Sequence, residues 1–417
     1  MTITTEFLTD KPLDDALRAR ARKVIPSGMY GHMNVNLMPA GYPQFYASGR
    51  GSRLWDADGK EYLDFMCAFG PMITGYANPI VDAAAAEQQR LGDALGGPTA
   101  RMVELAELLV DTVEHADWAM FAKNGTDATS LAVTIARAAT GRKKLLKGGT
   151  AYHGANAWFN PNPLGSTPED RANIIEFVFN DLASLEMAAA EADGDVAAII
   201  LSPFRHDAPG SVDQYLADPV FAAGVRALAD RLGAVLIMDE VRTGFRLHTG
   251  SAWEPIGIKP DLTAFSKAMA NGYAISSVVG VDSLRQAASD IFATGSFWYA
   301  GVSMAAAIAN INLLKASDTP AQLANVGQLL RDGLATQALA HGFSVVQSGP
   351  PAMPFLRFED DADLRQVAAF SDAAIRRGVL LHPVHNWFLS TAHTPDDVAW
   401  ALDRTDDAFA EAKSVLG

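Results

Sequence analysis

Two residues, Asp239 and Lys267, have the types and positions needed for covalent amine chemistry. Asp239 follows the apolar run 234–238, and Lys267 comes two residues after the apolar run 263–265. A lysine at the end of a buried strand is poorly solvated, which lowers its pKa and makes it a potential Schiff-base amine. An acidic residue at the carboxyl end of a parallel strand lies where open α/β sheets bind ligands. Taken singly, the aspartate is more typical of a turn or helix cap, and the lysine of the protein surface.

Two further segments could complete a site for pyridoxal 5′-phosphate (PLP). This cofactor needs a lysine, a carboxylate for its pyridine nitrogen, a flat or apolar group against its ring, and backbone N–H groups for its phosphate. Asn124-Gly125-Thr126 begins a predicted helix, and a helix N-terminus favours an anion. Tyr152-His153-Gly154 offers an aromatic ring for stacking. Each segment alone is also typical of a turn, a cap or a loop aromatic packed on a sheet.

The elements that must position these residues alternate between short apolar runs and amphipathic helices. Strands are predicted at 118–122, 196–201, 234–238, 263–265 and 275–280, and helices at 125–140, 181–192 and 217–232. This alternation predicts an α/β domain with a mostly parallel sheet. The C-terminal part, with helices at 320–341, 363–376 and 395–414 and short strands near 343–348, 353–358 and 378–391, predicts a smaller α+β domain.

A chain of 417 residues, 49% of them hydrophobic, suits two domains better than one. We expect residues 1–65 to form an N-terminal segment of the small domain. Residues 66–312 are expected to form the large PLP-binding domain, and residues 313–417 the C-terminal small domain.

Composition argues against several classes of protein. The net charge of −15 makes binding to nucleic acid or to an anionic membrane surface unfavourable. The N-terminus shows no secretory signal, and no apolar run reaches the roughly 18 residues of a membrane span. The single cysteine, Cys67, forms no internal disulfide, so a cytoplasmic location is expected. The nine histidines show no metal-ligand spacing, and no metal site is predicted.

The four motifs, taken in order, resemble those of the class III aminotransferases. The matching segments are 124–128, 152–154, 239–246 and 266–267, within a resemblance that extends from the hairpin at 54–59 to 388–394. The stretch D-E-V-x-T-G-F-R with a downstream lysine is highly specific. Within the class, the chain resembles the glutamate-1-semialdehyde aminomutase branch. Segments 29–32, 115–121, 295–298 and 382–386 resemble bacterial transaminases that transfer the amino group of long-chain amines to pyruvate.

The resemblance implies fold-type I architecture with PLP as cofactor, and it assigns roles to matching residues. Lys267 is implied as the Schiff-base lysine and proton shuttle, and Asp239 as the partner of the pyridine nitrogen. Val241 and Tyr152, with His153 beside it, are implied to enclose the ring. Gly125 and Thr126 are implied to bind the phosphate.

The resemblance also implies a homodimer whose active sites are shared between subunits. Relatives bind the phosphate with a threonine of the partner subunit, in a segment that is degenerate here, so Thr294 and Ser296 are both candidates. A second departure is Ser202, where many relatives have a glutamate. It leaves Arg205 as a candidate for binding a substrate carboxylate, and Arg242 and Arg246 are further candidates for this role. A salt bridge or a position in a solvated loop would also explain Arg205.

Substrate contacts are expected from segments that line the entrance in relatives. The candidates, each of which could equally serve packing, are Tyr30, His32, Phe69, Trp158, Arg205 and His385. Their aromatic character suits a primary amine with a long or bulky apolar body. The expected reaction is ping-pong transamination from such an amine to a keto acid, with pyruvate the expected acceptor. The alternatives are a glutamate-1-semialdehyde-type 2,1-aminomutase, a decarboxylase of the same fold and a PLP-dependent regulator.

Overall fold

The computed structural model describes residues 11–149, 151–205 and 213–416. Over these residues the chain forms twelve α-helices: α1 (Pro12–Val24), α2 (Pro79–Leu91), α3 (Ala100–Thr112), α4 (Gly125–Thr140), α5 (Pro168–Arg171), α6 (Leu182–Glu191), α7 (Pro219–Leu232), α8 (Arg285–Asp290), α9 (Gly301–Lys315), α10 (Thr319–Ala340), α11 (Arg365–Arg376) and α12 (Pro395–Leu416). The thirteen strands of the same residues are β1 (Tyr46–Arg50), β2 (Arg53–Asp56), β3 (Glu61–Asp64), β4 (Trp118–Ala122), β5 (Lys144–Gly148), β6 (Ile174–Phe177), β7 (Val196–Leu201), β8 (Val235–Asp239), β9 (Leu262–Phe265), β10 (Ser276–Gly280), β11 (Val345–Ser348), β12 (Phe355–Phe358) and β13 (Val379–Leu380).

The described chain separates into two compact units. One contains the described residues up to Phe69 together with Ile73–Asn78 and Gln322 onward, and is called the terminal unit below. The other contains Gly70–Met72 and Pro79–Ala321, and is called the central unit.

A seven-stranded sheet organises the central unit, with strand order β4-β10-β9-β8-β7-β5-β6. Neighbouring strands from β9 through β8, β7 and β5 to β6 are parallel. Strands β7, β8 and β9 are buried at every position, as expected for strands covered on both faces. The mostly parallel α/β sheet predicted from the sequence is therefore confirmed.

The direction of β10 determines which ends of the strands lie at the same edge of this sheet. Strand β10 pairs antiparallel with both β4 and β9, so β4 and β9 run the same way. The carboxyl ends of β4, β5, β8 and β9 and the beginning of β10 consequently lie along the same edge.

Helix α4 starts at this edge because its first turn is capped by side chains. Asn124 accepts a hydrogen bond from the Asp127 N–H, and the Asp127 carboxylate accepts from the Asn124 N–H. This reciprocal capping box satisfies two donors that a helix start otherwise leaves open. The helix ends at Gly141, whose φ of 66° is left-handed, and its apolar face packs in a core cluster with β7, β8, β9 and β10.

The terminal unit contains a four-stranded sheet with order β1-β2-β3-β13 and the antiparallel pair β11-β12. The hairpin predicted around Asp58-Gly59 is present as β2 and β3. Of the short strands predicted near 378–391, only β13 forms. The chain beyond it bonds to scattered partners, since Phe388 N donates to Phe65 O and Leu389 N to Ala352 O, which gives no regular ladder.

Candidate active site

A cavity of about 360 Å³ lies in the central unit, at the edge where the strand ends meet. Its lining comes from the segments after β4, β5, β8 and β9 and the segment before β10. The lining residues are Pro71, Lys123, Asn124, Gly125, Thr126, Thr129, Tyr152, His153, Gly154, Asp239, Val241, Arg242, Ser266, Lys267, Gly272, Tyr273, Ala274 and Ile275. The seven central residues of the sequence hypothesis, namely Gly125, Thr126, Tyr152, His153, Asp239, Val241 and Lys267, are all among them.

Lys267 begins the short 3-10 turn that follows β9, and its side chain keeps some surface open to the cavity. Its φ of 31° lies in the left-handed region, which costs free energy for a residue with a side chain and is found mostly where function requires it. Burial lowers the pKa of Lys267 to about 8, and the positive charge of Arg242 acts in the same direction. A larger fraction of this amine is therefore neutral near pH 7 than of an exposed lysine.

Asp239 is held in one orientation at the end of β8. Its two carboxylate oxygens lie 3.0 Å from the Val241 N–H nitrogen and 2.7 Å from His153 Nδ1. His153 is itself buried, and its backbone carbonyl accepts a hydrogen bond from Thr129 Oγ1 at 2.6 Å. The site therefore contains a fixed carboxylate that faces the cavity from the floor of the sheet.

The N-terminus of α4 offers backbone donors to the same cavity. The first N–H groups of a helix have no acceptor within the helix, and the capping box satisfies those of Asn124 and Asp127 but not those of Gly125 and Thr126. A Cβ on Gly125 would lie 2.6 Å from Val241 Cγ1, so only glycine allows this close packing. Thr126 Oγ1 accepts from the Ala155 N–H at 3.0 Å, which ties the loop of Tyr152 to the helix start.

These residues fit PLP, the group that the sequence motifs imply. The cavity volume is in the range of small-molecule sites, about 300–1,000 Å³. It contains an amine with a lowered pKa, a fixed carboxylate and a helix N-terminus, which match the cofactor's aldehyde, ring nitrogen and phosphate in chemical type. The buried His153 Nε2 has no hydrogen-bond partner among the described residues, and this orphaned polar atom indicates that the site is built around a further polar group.

Four other candidates of the central unit lie away from this lining. Thr294 and Ser296 are exposed, in the segment before α9. Trp158 packs against the sheet core with Arg137 stacked 5.0 Å from its ring centre. Arg205 lines a separate small cavity after β7, and its Nη1 lies 3.2 Å from Tyr215 Oη.

The four candidates in the terminal unit divide into one exposed residue and a cluster. Tyr30 is 71% exposed. The ring of Phe69 lies edge-on to His32, with centres 4.7 Å apart, and edge-on to His385 at 5.3 Å. The structure therefore brings His32, Phe69 and His385 together within this unit.

Several lining residues were not anticipated from the sequence. Tyr273, Ala274 and Ile275 reach the cavity because β10 runs antiparallel to β9, so its beginning rather than its end lies at this edge. Lys123 also lines the cavity, and its Nζ donates to Ala274 O at 3.1 Å. The position of Lys123, directly before Asn124-Gly125-Thr126, was the feature of the sequence that could have identified it as a site residue.

Within the described ranges, no group of three or more His, Cys, Asp or Glu side chains could hold a metal ion. The helices of the same ranges also lack the combination of length and apolar character that crossing a bilayer requires.

Comparison with known proteins gives matches over nearly the whole chain. The family model for class III aminotransferases matches residues 37–396. The chain is 47% identical to the aminopentol aminotransferase of Sphingopyxis macrogoltabida over 394 residues, which cover 94% of this chain and 93% of that protein. It is also 34% identical to a glutamate-1-semialdehyde 2,1-aminomutase of Gemmatimonas aurantiaca, over 95% of this chain and 96% of the relative.

Among solved structures, the fold superposes on the FumI protein of Sphingopyxis sp. MTA144 in its PLP internal aldimine form. The TM-score is 0.95 at 46% sequence identity, and the match covers 97% of each chain.

Proposed function

The chain belongs to the PLP-dependent class III aminotransferases, and from that membership we propose that its substrates are a primary amine with a long or bulky apolar body and a keto acid, with pyruvate as acceptor. In the net reaction, the amine and pyruvate give a ketone or aldehyde and alanine, so one amino group and one carbonyl oxygen exchange places. The observation that carries this proposal is the convergence of Lys267, Asp239 and the α4 N-terminus on one cavity.

We propose that residues of this cavity hold the cofactor. Asp239 would pair with the ring nitrogen of the cofactor, and Val241 and Tyr152 would pack against the two faces of the ring. The N–H groups of Gly125 and Thr126 would bind the phosphate. When bound, PLP supplies an electron-accepting ring beside the carbon that carries the amino group. His153 keeps the Asp239 carboxylate aimed at the cavity through the 2.7 Å contact of its Nδ1.

Lys267 carries the proton transfer in this proposal. Because its pKa is lowered to about 8, Nζ could accept a proton from the amine-bearing carbon of the donor and, in the second half of the cycle, deliver a proton to the carbonyl carbon of the keto acid, which becomes the amine-bearing carbon of alanine. The reverse sequence with the keto acid uses the same nitrogen, so one base serves both halves of a ping-pong cycle.

The apolar amine is proposed from the named relative. The match to the aminopentol aminotransferase covers 94% of this chain at 47% identity.

The proposed assembly is a homodimer in which Thr294 or Ser296 of one subunit reaches the phosphate of the other. Both residues are exposed and do not line the cavity of their own chain. They lie between two exposed aromatic residues, Phe292 at 95% and Phe297 at 67%, which is typical of a surface that becomes buried in an interface.

The test of the function is the absorbance of the cofactor in the purified enzyme. A long-chain primary amine should change the spectrum of the PLP form, and pyruvate should then restore it. Lys267→Ala should retain cofactor without this cycle. A wild-type spectrum that responds to glutamate-1-semialdehyde, but to no external amine, would favour the aminomutase instead; the 34% identity to such an enzyme is the observation behind that second candidate.

A further inference from the structure

The structure separates the three arginines that could bind a substrate carboxylate. Arg205 lines a separate small cavity after β7. Arg246 is fully buried, and its Nη2 donates to the backbone carbonyl of Gly70 at 2.8 Å. Arg242 lines the same cavity as Lys267. Of the three, Arg242 is therefore placed where the chemistry of the amino group occurs.

Packing against Phe204 fixes the guanidinium of Arg242. Its central carbon lies 4.2 Å from the centre of the Phe204 ring, and that ring is fully buried after β7. A guanidinium stacked on a ring keeps its plane, and its N–H groups point outward in that plane. Such a fork matches the two oxygens of a carboxylate better than a flexible ammonium does.

Arg242 is buried at the cavity and keeps its positive charge. Arg242 is 6% exposed, and burial lowers its pKa to about 9, so it is still protonated at pH 7. It is close enough to Lys267 to lower the pKa of that amine. Asp239 acts in the opposite direction, because its negative charge raises the pKa of Arg242. A planar guanidinium that stays charged can bind a carboxylate through two parallel N–H groups.

We infer that Arg242 binds the carboxylate of the keto-acid acceptor and thereby selects α-keto acids over acceptors that have only a carbonyl group. This inference rests on the proposed function. In an α-keto acid the carboxylate is bonded directly to the carbonyl carbon that must reach Lys267. A cation beside Lys267 therefore recognises that arrangement, whereas an apolar amine donor makes no use of it.

The experiment compares holoenzyme of the wild type with Arg242→Met, which keeps an unbranched side chain without the charge, and Arg242→Lys, which keeps the charge without the planar fork. Propionate, a pyruvate analogue without the keto group, is titrated by calorimetry. Arg242→Met should weaken propionate binding, and kcat/KM for pyruvate, roughly tenfold to a hundredfold, as for loss of a hydrogen-bonded charge. Arg242→Lys should lie between that variant and the wild type.

Two further readouts separate recognition from general damage. In Arg242→Met and Arg242→Lys, kcat/KM for pyruvate should fall more than kcat/KM for propanal, an acceptor without a carboxylate, because only pyruvate loses a contact with the guanidinium. Arg205→Met is the matched control, and its affinity for propionate should equal that of the wild type.

The inference is overturned if Arg242→Met binds propionate like the wild type, or if Arg205→Met loses that binding instead. If Arg242→Met fails to fold, the inference is still overturned when Arg242→Lys has the propionate affinity and the kcat/KM for pyruvate of the wild type. Failure of the proposed function has a different signature, because a wild type that reacts with no external amine can still bind propionate through Arg242.

Discussion

The backbone conformation at Lys267 sets the position of its amine, and the residues around it lower the pKa of the same group. The left-handed φ of 31° turns the chain sharply out of β9, and burial with the nearby Arg242 charge lowers the pKa to about 8. Ordinary lysines titrate near 10.4. A single side chain therefore combines the position and the protonation state that a nucleophile and a proton carrier need.

The first prediction concerns the protonation of this amine. In cofactor-free protein, acetylation of Lys267 by acetic anhydride should rise with pH around a midpoint near 8, because the neutral amine is the reactive form. Quantitative mass spectrometry of the Lys267 peptide, normalised to an exposed lysine, measures the midpoint.

Two variants should move this midpoint in opposite directions. Arg242→Met removes a positive neighbour and should raise it, whereas Asp239→Asn removes a negative neighbour and should lower it. A midpoint near that of exposed lysines in the wild type would contradict the buried environment described for Lys267.

At the scale of elements, the start of α4 and the end of β8 approach each other at Gly125 and Val241. A Cβ on Gly125 would lie 2.6 Å from Val241 Cγ1 and 3.0 Å from Cγ2. Neither end can move alone, because α4 is fixed by its capping box and β8 by the ladders on both of its sides. The glycine therefore sets the distance between the helix N-terminus and the floor of the cavity.

Gly125→Ala should consequently weaken PLP binding by roughly tenfold or more, since the added Cβ forces the start of α4 and Val241 apart and so displaces the backbone donors proposed for the phosphate. The measurement is a PLP titration of cofactor-free protein. Gly96→Ala, where an added Cβ meets nothing within 4 Å, should bind PLP like the wild type. Partial recovery in Gly125→Ala/Val241→Ala would show that the clash is the cause, and an unchanged affinity in Gly125→Ala would contradict it.

At the scale of the whole molecule, a buried carboxyl makes stability depend on pH. Glu240 accepts hydrogen bonds from Ser251 Oγ at 2.7 Å and from Ala252 N at 2.6 Å. Burial nevertheless raises its pKa from 4.5 to about 7. The folded protein thus holds a proton that the unfolded chain releases at lower pH. The stability from this group is complete below about pH 4.5 and is lost as the pH rises through about 7.

Glu240→Gln should remove this part of the pH dependence. Between about pH 5 and pH 8, the free energy of unfolding of the wild type should fall relative to the variant by on the order of 3 kcal/mol. Urea unfolding at several pH values measures the difference. Asp64, whose pKa burial raises to about 6, contributes with the same sign in both proteins and therefore cancels. Parallel curves for the two proteins would contradict the shift at Glu240.

The proposed shared site of the dimer can be tested by mixing subunits. Lys267→Ala lacks the reacting amine, and Thr294→Ala/Ser296→Ala lacks both candidate phosphate contacts. Random hybrids of the two should recover about a quarter of wild-type activity, because half of the dimers then contain one intact site. Activity no higher than the sum of the two parents would show that each chain completes its own site.

The residue types and their order along the chain determined the family, the cofactor and the mostly parallel sheet. These follow from local signals: short apolar runs of strand length, the capping residues of α4, an aspartate at the end of one buried strand and a lysine two residues after another. Such signals depend on neighbours in sequence, so they can be read without the fold.

Only the tertiary structure decided which residues share a cavity. The antiparallel direction of β10 brings Tyr273, Ala274 and Ile275 to the site, and the sequence of a short strand such as 275–280 does not show its direction in the sheet. Likewise, the sequence alone does not distinguish Arg242 from Arg205 as the residue that binds a substrate carboxylate. They differ because Arg242 packs on Phe204 beside Lys267, whereas Arg205 faces Tyr215. Contacts between residues distant in sequence set these outcomes, and they exist only once the strands have been ordered in the sheet.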